Sequence, residues 1–416
     1  DVAPSRGLGD VYKRQIHMKQ RLLIGFLLMG LMCLTACGKT KTNETVAADK
    51  TNDTISETIL EKTSEASDSI FVSNIKDKQL TVSSDNIETD ALLVEKTRAL
   101  DKAIQTELDS GSYTWENPMV IVNPYKNAPL TALILFQTQE NAYVRVTVKG
   151  KTKKYDIKNK INELKTAHRV PVIGLYADYE NTVLLELIDK NENVIKKQTL
   201  KIQTDSLPEL MDNMVTVKKH TAKSAYNLTI VTGQSCIYPF AYDESGEIRW
   251  IMTKKGGSNG IFPLSNGRYI YQTGGSLVPS HEKPHPSNLF EMDYLGRAYR
   301  QYFVEQGVHH DVTEKTPGGN LMIITNSNEE YVEDVVMELD RKTGSVVKKL
   351  NLKDVLGTYF RNQTDWVHTN TISYDKESDT VLLSPRNTHS AIKVNWTTGE
   401  LIWILGNPEI WKGSGV

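Results

Sequence analysis

The sequence predicts an all-β protein in which a small β-sandwich precedes a β-propeller, with a signal peptide, a linker and one helix before them. Two observations carry this prediction. In "YVRVTVKG", residues 143–150, apolar and polar side chains alternate, which is typical of half-buried antiparallel strands. Farther along, a turn followed by a strand recurs at steps of 50, 47 and 55 residues, measured between Asp243, Asp293, Asp340 and Asn395.

The N-terminal segment predicts export. Residues 1–17 precede the first methionine and resemble upstream translation or assembly debris, so they are set aside. Residues 18–36 have two positive charges and then an apolar run that is too short to span a bilayer comfortably, the layout of a secretory signal peptide. The small residues before Cys37 resemble a lipobox, at which bacterial lipoproteins are cut and lipidated. We therefore expect a lipid anchor on Cys37 that holds the protein on the outer side of the cell membrane or in the periplasm. The alternative, a buried core helix, is disfavoured by the polar sequence that follows.

The next two segments are a tether and a helix. Residues 37–87 are rich in Thr, Ser, Lys, Asp and Glu and have few aromatic residues, so they bury too little apolar surface to offset the entropy of ordering. Residues 88–109 carry apolar side chains at 93, 100, 104 and 108, and Gly111 follows as a stop signal. This spacing predicts one amphipathic helix.

Two β domains follow. Short alternating strands separated by the turn signals "DYEN" and "KNEN" predict a small β-sandwich over residues 113–205. In residues 215–416, a second set of turns, such as "PLSNGRYIY" and "TPGGNLMII", lies between the recurring ones. Two hairpins per step of about 50 residues match a four-stranded propeller blade. An assortment of unrelated β-hairpins is the alternative.

Composition excludes some classes of function. The chain has 416 residues and a formal net charge of −2, and it has no run of Lys and Arg that could follow a phosphate backbone, so nucleic-acid binding is disfavoured. Its cysteines are Cys33, Cys37 and Cys236, which leaves one thiol in the mature part beyond the expected lipid site. A single thiol forms neither an intrachain disulfide nor a metal cluster, and we expect Cys236 to be buried.

Several stretches resemble a known family. "WENPMVIVNPYKNAPLTALILFQTQENAYVRVTVKGK" is similar to the N-terminal immunoglobulin-like β-sandwich of bacterial arylsulfate sulfotransferases. "GVHHDVTEKTPGGNLM", "DWVHTNTISYD" and "GELIWILGNP" resemble their six-bladed propeller. The resemblance implies transfer of a sulfuryl group from an aryl sulfate to a phenolic acceptor through a sulfohistidine, without a nucleotide sulfate donor or any other cofactor. A homodimer is left open, because the sequence is silent on the oligomeric state.

The resemblance implies a set of site residues. Equivalent positions on successive blades converge on one axis, so we expect His310 and His368 to meet there. By motif, Arg386 matches a residue that offers a fork of donors to two sulfate oxygens, and Asn370 one that adds a neutral hydrogen bond. His310 and His368 would hold a non-bridging oxygen or protonate the leaving phenolate. His309 would contact substrate or support the residues that do.

Each of these residues has a simpler interpretation. His310 and His368 could be polar channel residues, and Arg386 could pair with Asp365 or Asp311. His281 and His285 are four residues apart in a Pro-rich loop, but they lack a carboxylate or cysteine partner, so we predict no metal there.

Only part of a six-bladed ring is visible in the repeats. The nucleophilic histidine of the family is expected on a later blade, so the sequence favours a fragment whose nucleophile lies beyond Val416 and which is itself inactive. A cell-surface lipoprotein that binds a ligand without catalysis stays open as an alternative. A scaffold propeller stays open too, although it would need no convergent basic residues.

Overall fold

The computed structural model describes residues 92–211, 214–218, 227–232, 238–254, 256–273, 277–278 and 285–412. The signal peptide, Cys37, the tether, residues 88–91, Cys236 and His281 lie outside the described residues. Within the described ranges, no helix has both the length and the apolar content needed to cross a membrane.

Helix α1 spans Leu93–Asp109 and packs against both β regions. Its buried side chains include Leu93, Ile104 and Leu108, which repeat at the spacing that brings one face of a helix inward. Thr97 is also buried, and its hydroxyl donates a hydrogen bond of 3.0 Å to the carbonyl oxygen of Ala298. This bond ties the helix to an outer strand of the second domain.

The first domain is a five-stranded antiparallel sheet of β1 (Met119–Val122), β2 (Thr131–Val148), β3 (Ile157–Ile173), β4 (Glu180–Ile188) and β5 (Val194–Gln203). Its order is β1-β2-β4-β5, with β3 also paired to β2. Strand β2 is long because it continues through two register shifts between Gln137 and Val144. The first half of β2 pairs with β1 and its second half with β4, so one strand serves both sides of the core.

The second domain consists of successive antiparallel sheets. The first has three strands in the described residues: β6 (Thr229–Val231), β7 (Phe240–Tyr242) and β8 (Ile248–Ile251). The second contains β9 (Gly256–Pro263), β10 (Tyr269–Thr273), β13 (Asn288–Met292) and β14 (Ala298–Phe303), and the ribbon β11 (Leu277–Val278) and β12 (His285–Pro286) is inserted within it.

Two complete four-stranded sheets carry most of the predicted site residues. The third sheet contains β15 (His309–Glu314), β16 (Leu321–Thr325), β17 (Val335–Leu339) and β18 (Val346–Asn351), and the short helix α2 (Leu352–Leu356) follows it. The fourth contains β19 (Thr369–Asp375), β20 (Thr380–Pro385), β21 (Ser390–Asn395) and β22 (Leu401–Gly406). In each sheet, the strands pair in chain order, as propeller blades do. The all-β prediction is confirmed.

The recurring turns have a common physical basis. Asp243, Asp293, Asp340 and Asn395 each accept backbone N–H bonds through the side-chain oxygen Oδ1, from residues two to four positions later. The glycine in each turn adopts a positive φ between 76° and 92°, which a residue with a Cβ rarely does. The 50-residue sequence period is therefore the period of a capped turn that joins the last two strands of each sheet.

Candidate active site

The predicted site residues lie where β15 and β19 begin. Each of these strands starts with a bulge. The register shifts between His309 and Val312 in β15 and between Thr369 and Ile372 in β19. The Asp311 carboxylate accepts the backbone N–H of Ile372 at 2.9 Å, which links the two strands. A bulge redirects side chains that regular pleating would hold on one face.

Four imidazoles form a row across these sheets. Ring centroids lie 4.0 Å apart between His285 and His309, 6.4 Å between His309 and His310, and 4.9 Å between His310 and His368. The structure therefore brings the two predicted histidines, His310 and His368, to one place. His285 comes from the β12 ribbon and extends the row at its other end.

Glu333 lies at the centre of this cluster. Its oxygen Oε1 is 3.0 Å from Nδ1 of His309 and 3.1 Å from Nε2 of His310, and Oε2 is 2.8 Å from Nδ1 of His368. The loop that carries Glu333 is held by its own hydrogen bonds, since its backbone N–H donates to Asn326 and its carbonyl accepts from Thr369. One buried carboxylate thus contacts three imidazoles from two sheets.

Electrostatics in the cluster are strongly coupled. Burial alone would raise the pKa of Glu333, but contacts with the three imidazoles outweigh it and hold the pKa well below its usual range. Burial likewise lowers the pKa of His368, yet the Asp365 and Glu333 carboxylates outweigh that effect and raise the pKa to about 9. The cluster therefore favours a carboxylate next to a cationic imidazole.

Arg386 lies directly across the strand pair from His368, because its backbone N–H donates to the His368 carbonyl at 2.9 Å. Its guanidinium is 56% exposed and reaches Oδ2 of Asp365 at 3.4 Å, while Nε donates to the Asn387 side chain at 3.1 Å. The Asp365 pairing that the sequence left open is present. That contact is long and exposed, so the fork of Arg386 is only weakly held.

The remaining predicted residues occupy different surroundings. Asn370 is half-buried on β19, within the bulge. His309 is buried, and its Nδ1 faces Glu333, while no described residue makes a hydrogen bond to its Nε2. His309 therefore has one ring nitrogen engaged and one available.

Sequence reasoning missed two members of this cluster. Glu333 stands in "SNEEYVEDVV" among other acidic residues, and nothing in that pattern distinguishes it. His285 was considered only as a metal ligand with His281, whereas the structure places it against His309. No repeat signal predicts this contact, because His285 lies in the inserted ribbon only 24 residues before His309, about half of one repeat.

Two sequence models of protein families match the chain. The arylsulfotransferase (ASST) model matches residues 213–415, and the arylsulfotransferase Ig-like domain model matches residues 119–205. The chain belongs to the arylsulfotransferase family. The predicted resemblance and the immunoglobulin-like first domain are thereby confirmed.

Two relatives in this family show how far the likeness extends. The arylsulfate sulfotransferase AssT of Escherichia coli O6:H1 is 23% identical over 70% of this chain and 64% of that protein. The protein of the same name from Lelliottia amnigena is 22% identical, with the same coverage of each chain. The chain thus spans a little under two thirds of the length of these relatives.

Solved structures align only loosely. A protein of unknown function from Bacteroides caccae is 9% identical, covers 64% of this chain and 73% of its own, and gives a TM-score of 0.29. AztD of Citrobacter koseri is 7% identical, covers 64% of this chain and 95% of its own, and gives a TM-score of 0.27. Scores this low carry no argument about fold or function.

The cluster combines imidazole and guanidinium groups, whose N–H donors are the kind that proteins use to bind anions. His368 and Arg386 present N–H donors from one strand pair, and the adjacent sheet contributes His310. Glu333 and Asp365 hold the imidazoles in place. Donors that are fixed in advance are what a reaction with developing negative charge requires.

Proposed function

We propose that the protein is an arylsulfate sulfotransferase that moves a sulfuryl group from an aryl sulfate to a phenolic acceptor through a sulfohistidine. The observation that supports this most directly is the meeting of His310 and His368 next to Arg386 within the propeller domain of the family. Both curated relatives bear the name arylsulfate sulfotransferase.

In the first half of the reaction, a histidine nitrogen attacks sulfur as the bond between sulfur and the aryl oxygen breaks. The aryl group leaves as a phenolate and takes up a proton, and a covalent N–S bond remains. In the second half, the acceptor phenol loses its proton, its oxygen attacks sulfur and the N–S bond breaks. No electrons are exchanged with a cofactor.

The residues around His368 act mainly by positioning the sulfuryl group. Sulfuryl transfer resembles phosphoryl transfer in having a loose transition state, so catalysis depends on donors placed where charge accumulates. Arg386 turns from Asp365 to bind two sulfate oxygens with its planar fork. His310, His368 and Asn370 donate to the remaining oxygens. Because the Arg386–Asp365 contact is exposed and long, giving it up costs little.

The test uses a chromogenic aryl sulfate and an added phenol, without a nucleotide sulfate donor. Assays use the protein made from the natural reading frame that contains these residues. The expected result for the natural protein is phenolate release that depends on the acceptor, together with a sulfated histidine after rapid quenching. Mass spectrometry of peptides identifies which histidine carries the group.

Matched histidine variants test whether His368 contributes to turnover. His368→Gln is expected to lower turnover strongly, whereas His389→Gln, an exposed histidine on the same sheet, leaves it unchanged. A protein that binds aryl sulfates saturably but never releases phenolate or forms a sulfated histidine would instead be the ligand-binding lipoprotein.

We also propose that the mature protein begins at a lipidated Cys37 and works outside the cytoplasm. The support is the sequence "LTAC" after a short apolar run. A Cys37→Ala variant is expected to move from the membrane to the soluble fraction, with a Cys236→Ala variant as the control. An unchanged distribution of the Cys37→Ala protein would contradict the anchor.

A further inference from the structure

The ligand-capable atoms of His310, Glu333 and His368 lie within 4.8 Å of one another. Nε2 of His310 is 3.1 Å from Oε1 of Glu333, and Nδ1 of His368 is 2.8 Å from Oε2. Two imidazole nitrogens and one carboxylate are a common donor set for divalent zinc or iron. In tetrahedral zinc sites, neighbouring ligand atoms are about 3.3 Å apart, so the two contacts with Glu333 are near this spacing and the widest separation has to close by no more than about 1.5 Å.

The two short contacts do not satisfy hydrogen bonds. Nε2 of His310 and Oε2 of Glu333 are both buried, and neither has a hydrogen-bond partner of adequate geometry among the described residues. A buried imidazole beside a carboxylate normally directs an N–H at an oxygen, since an unpaired buried polar atom is destabilising. Nδ1 of His368 is paired with Asp365 at 2.8 Å, whereas Nε2 of His310 and Oε2 of Glu333 converge without such alignment, which is the arrangement a shared cation would complete.

Backbone strain points to the same three residues. His310, Glu333 and His368 all adopt positive φ, at 38°, 59° and 51°. Residues other than glycine rarely adopt a positive φ, and backbone strain of this kind is concentrated at functional sites. All three residues come from bulges or loop ends on two adjacent sheets, so the fold fixes the donors before any ligand arrives.

We propose that His310, Glu333 and His368 bind one divalent transition-metal ion. On binding, Nδ1 of His368 gives up its proton to solvent, and its lone pair bonds to the metal. Asp365, now 2.8 Å from that nitrogen, then either joins as a further ligand or pairs with Arg386 alone. No electron transfer is involved. A metal-bound imidazole nitrogen carries no proton and cannot donate a hydrogen bond to a sulfate oxygen, so the ion competes with a sulfate for the two imidazoles.

The test measures metal binding directly on the 416-residue chain without a polyhistidine tag, after treatment with a chelator and its removal. Calorimetry with Zn²⁺ is expected to show one ion per chain, and Co²⁺ is expected to give the visible absorption of a nitrogen- and oxygen-ligated site. Glu333→Gln and His310→Gln should each weaken Zn²⁺ binding at least about tenfold. The matched controls are Glu329→Gln and His389→Gln, which change exposed residues of the same types.

The proposal is overturned by the absence of stoichiometric Zn²⁺ binding, or by binding that is equal in Glu333→Gln, His310→Gln and the controls. Circular dichroism verifies that each variant is folded. Should Glu333→Gln not fold, His310→Gln decides, because the His310 side chain is 30% exposed and its loss disturbs the core little. The aryl sulfate assay is independent: transfer by the metal-free enzyme with inhibition by Zn²⁺ is expected, and failure of transfer leaves the binding measurement intact.

Discussion

Glu291 and Glu333 are both buried glutamates in neighbouring sheets, with 2% and 5% of their surface exposed, and both have a lowered pKa. Their surroundings differ. Glu291 sits on strand β13, beside a register shift, and accepts hydrogen bonds from the guanidinium groups of Arg268 and Arg341. Glu333 lies in a loop at a positive φ and contacts three imidazoles.

The choice of partner determines what each cluster can do. A guanidinium keeps its charge at any relevant pH and has no lone pair to offer, so the Glu291 network is a permanent ion pair that joins strands. An imidazole can donate a hydrogen bond, accept a proton or bind a metal. Equal burial of two carboxylates therefore coexists with a structural role for one and a chemical role for the other.

The largest expected difference between the two clusters is in turnover. Arg386→Ala and Arg386→Lys should each lower aryl sulfate transfer by about 10² to 10³, since an ammonium cannot reproduce the planar fork. Stability should hardly change, because the Arg386 side chain is mostly exposed. Arg341→Lys, in the Glu291 network, is the matched control and should keep its turnover. Near-normal transfer in Arg386→Ala would remove Arg386 from the site.

For folding stability, we expect the larger effect in the Glu291 network and the smaller effect in the Glu333 cluster. Glu291→Gln leaves the Arg341 guanidinium, which is 11% exposed, without a counter-charge on one side. Breaking a buried ion pair in this way costs about 3 to 5 kcal/mol. Glu333→Gln leaves the His368 imidazole paired with Asp365, and an imidazole can lose its proton whereas a guanidinium cannot, so the free energy of unfolding should fall less. Urea denaturation of both variants tests this, and an equal loss would erase the distinction between the clusters.

The Glu291 ion pairs should also make folding stability depend on acid pH. Burial raises the pKa of Glu291, but Arg341 and Arg268 outweigh it and lower the pKa from 4.5 to about 2. Because the folded-state pKa is depressed, this stabilisation is present above about pH 4.5 and is lost as the pH falls towards 2. The wild-type protein should therefore lose about 3 kcal/mol relative to Glu291→Gln over that range. Urea unfolding from pH 6 to pH 2 measures it, and parallel curves for the two proteins would contradict the assignment.

The sequence predicted part of the Glu333 cluster and none of the Glu291 network. His310 and His368 could be placed together because equivalent positions of successive blades converge, and that rule needs only the repeat. Glu333 could not, because it lies in a loop outside the repeated turns and its role depends on a backbone conformation that no residue type announces. Similarly, the sequence predicted short strands in the first domain, whereas β2 continues through the polar stretch "QTQENA" by shifting register.

We expect the smallest change in folding stability from substitutions in the repeated turns, which join the last two strands of each sheet. Oδ1 of Asn395 accepts bonds from the backbone N–H and the hydroxyl of Thr398, as the aspartates do in the equivalent turns. Asn395→Asp keeps that oxygen and should change the free energy of unfolding by no more than about 0.5 kcal/mol. Asn395→Ala leaves the N–H without its side-chain partner and should cost about 1 kcal/mol. Thermal unfolding of the pair isolates the side-chain oxygen, since both substitutions remove the same amide nitrogen. Equal melting temperatures for the two variants would show that the recurring Asp or Asn does not stabilise these turns.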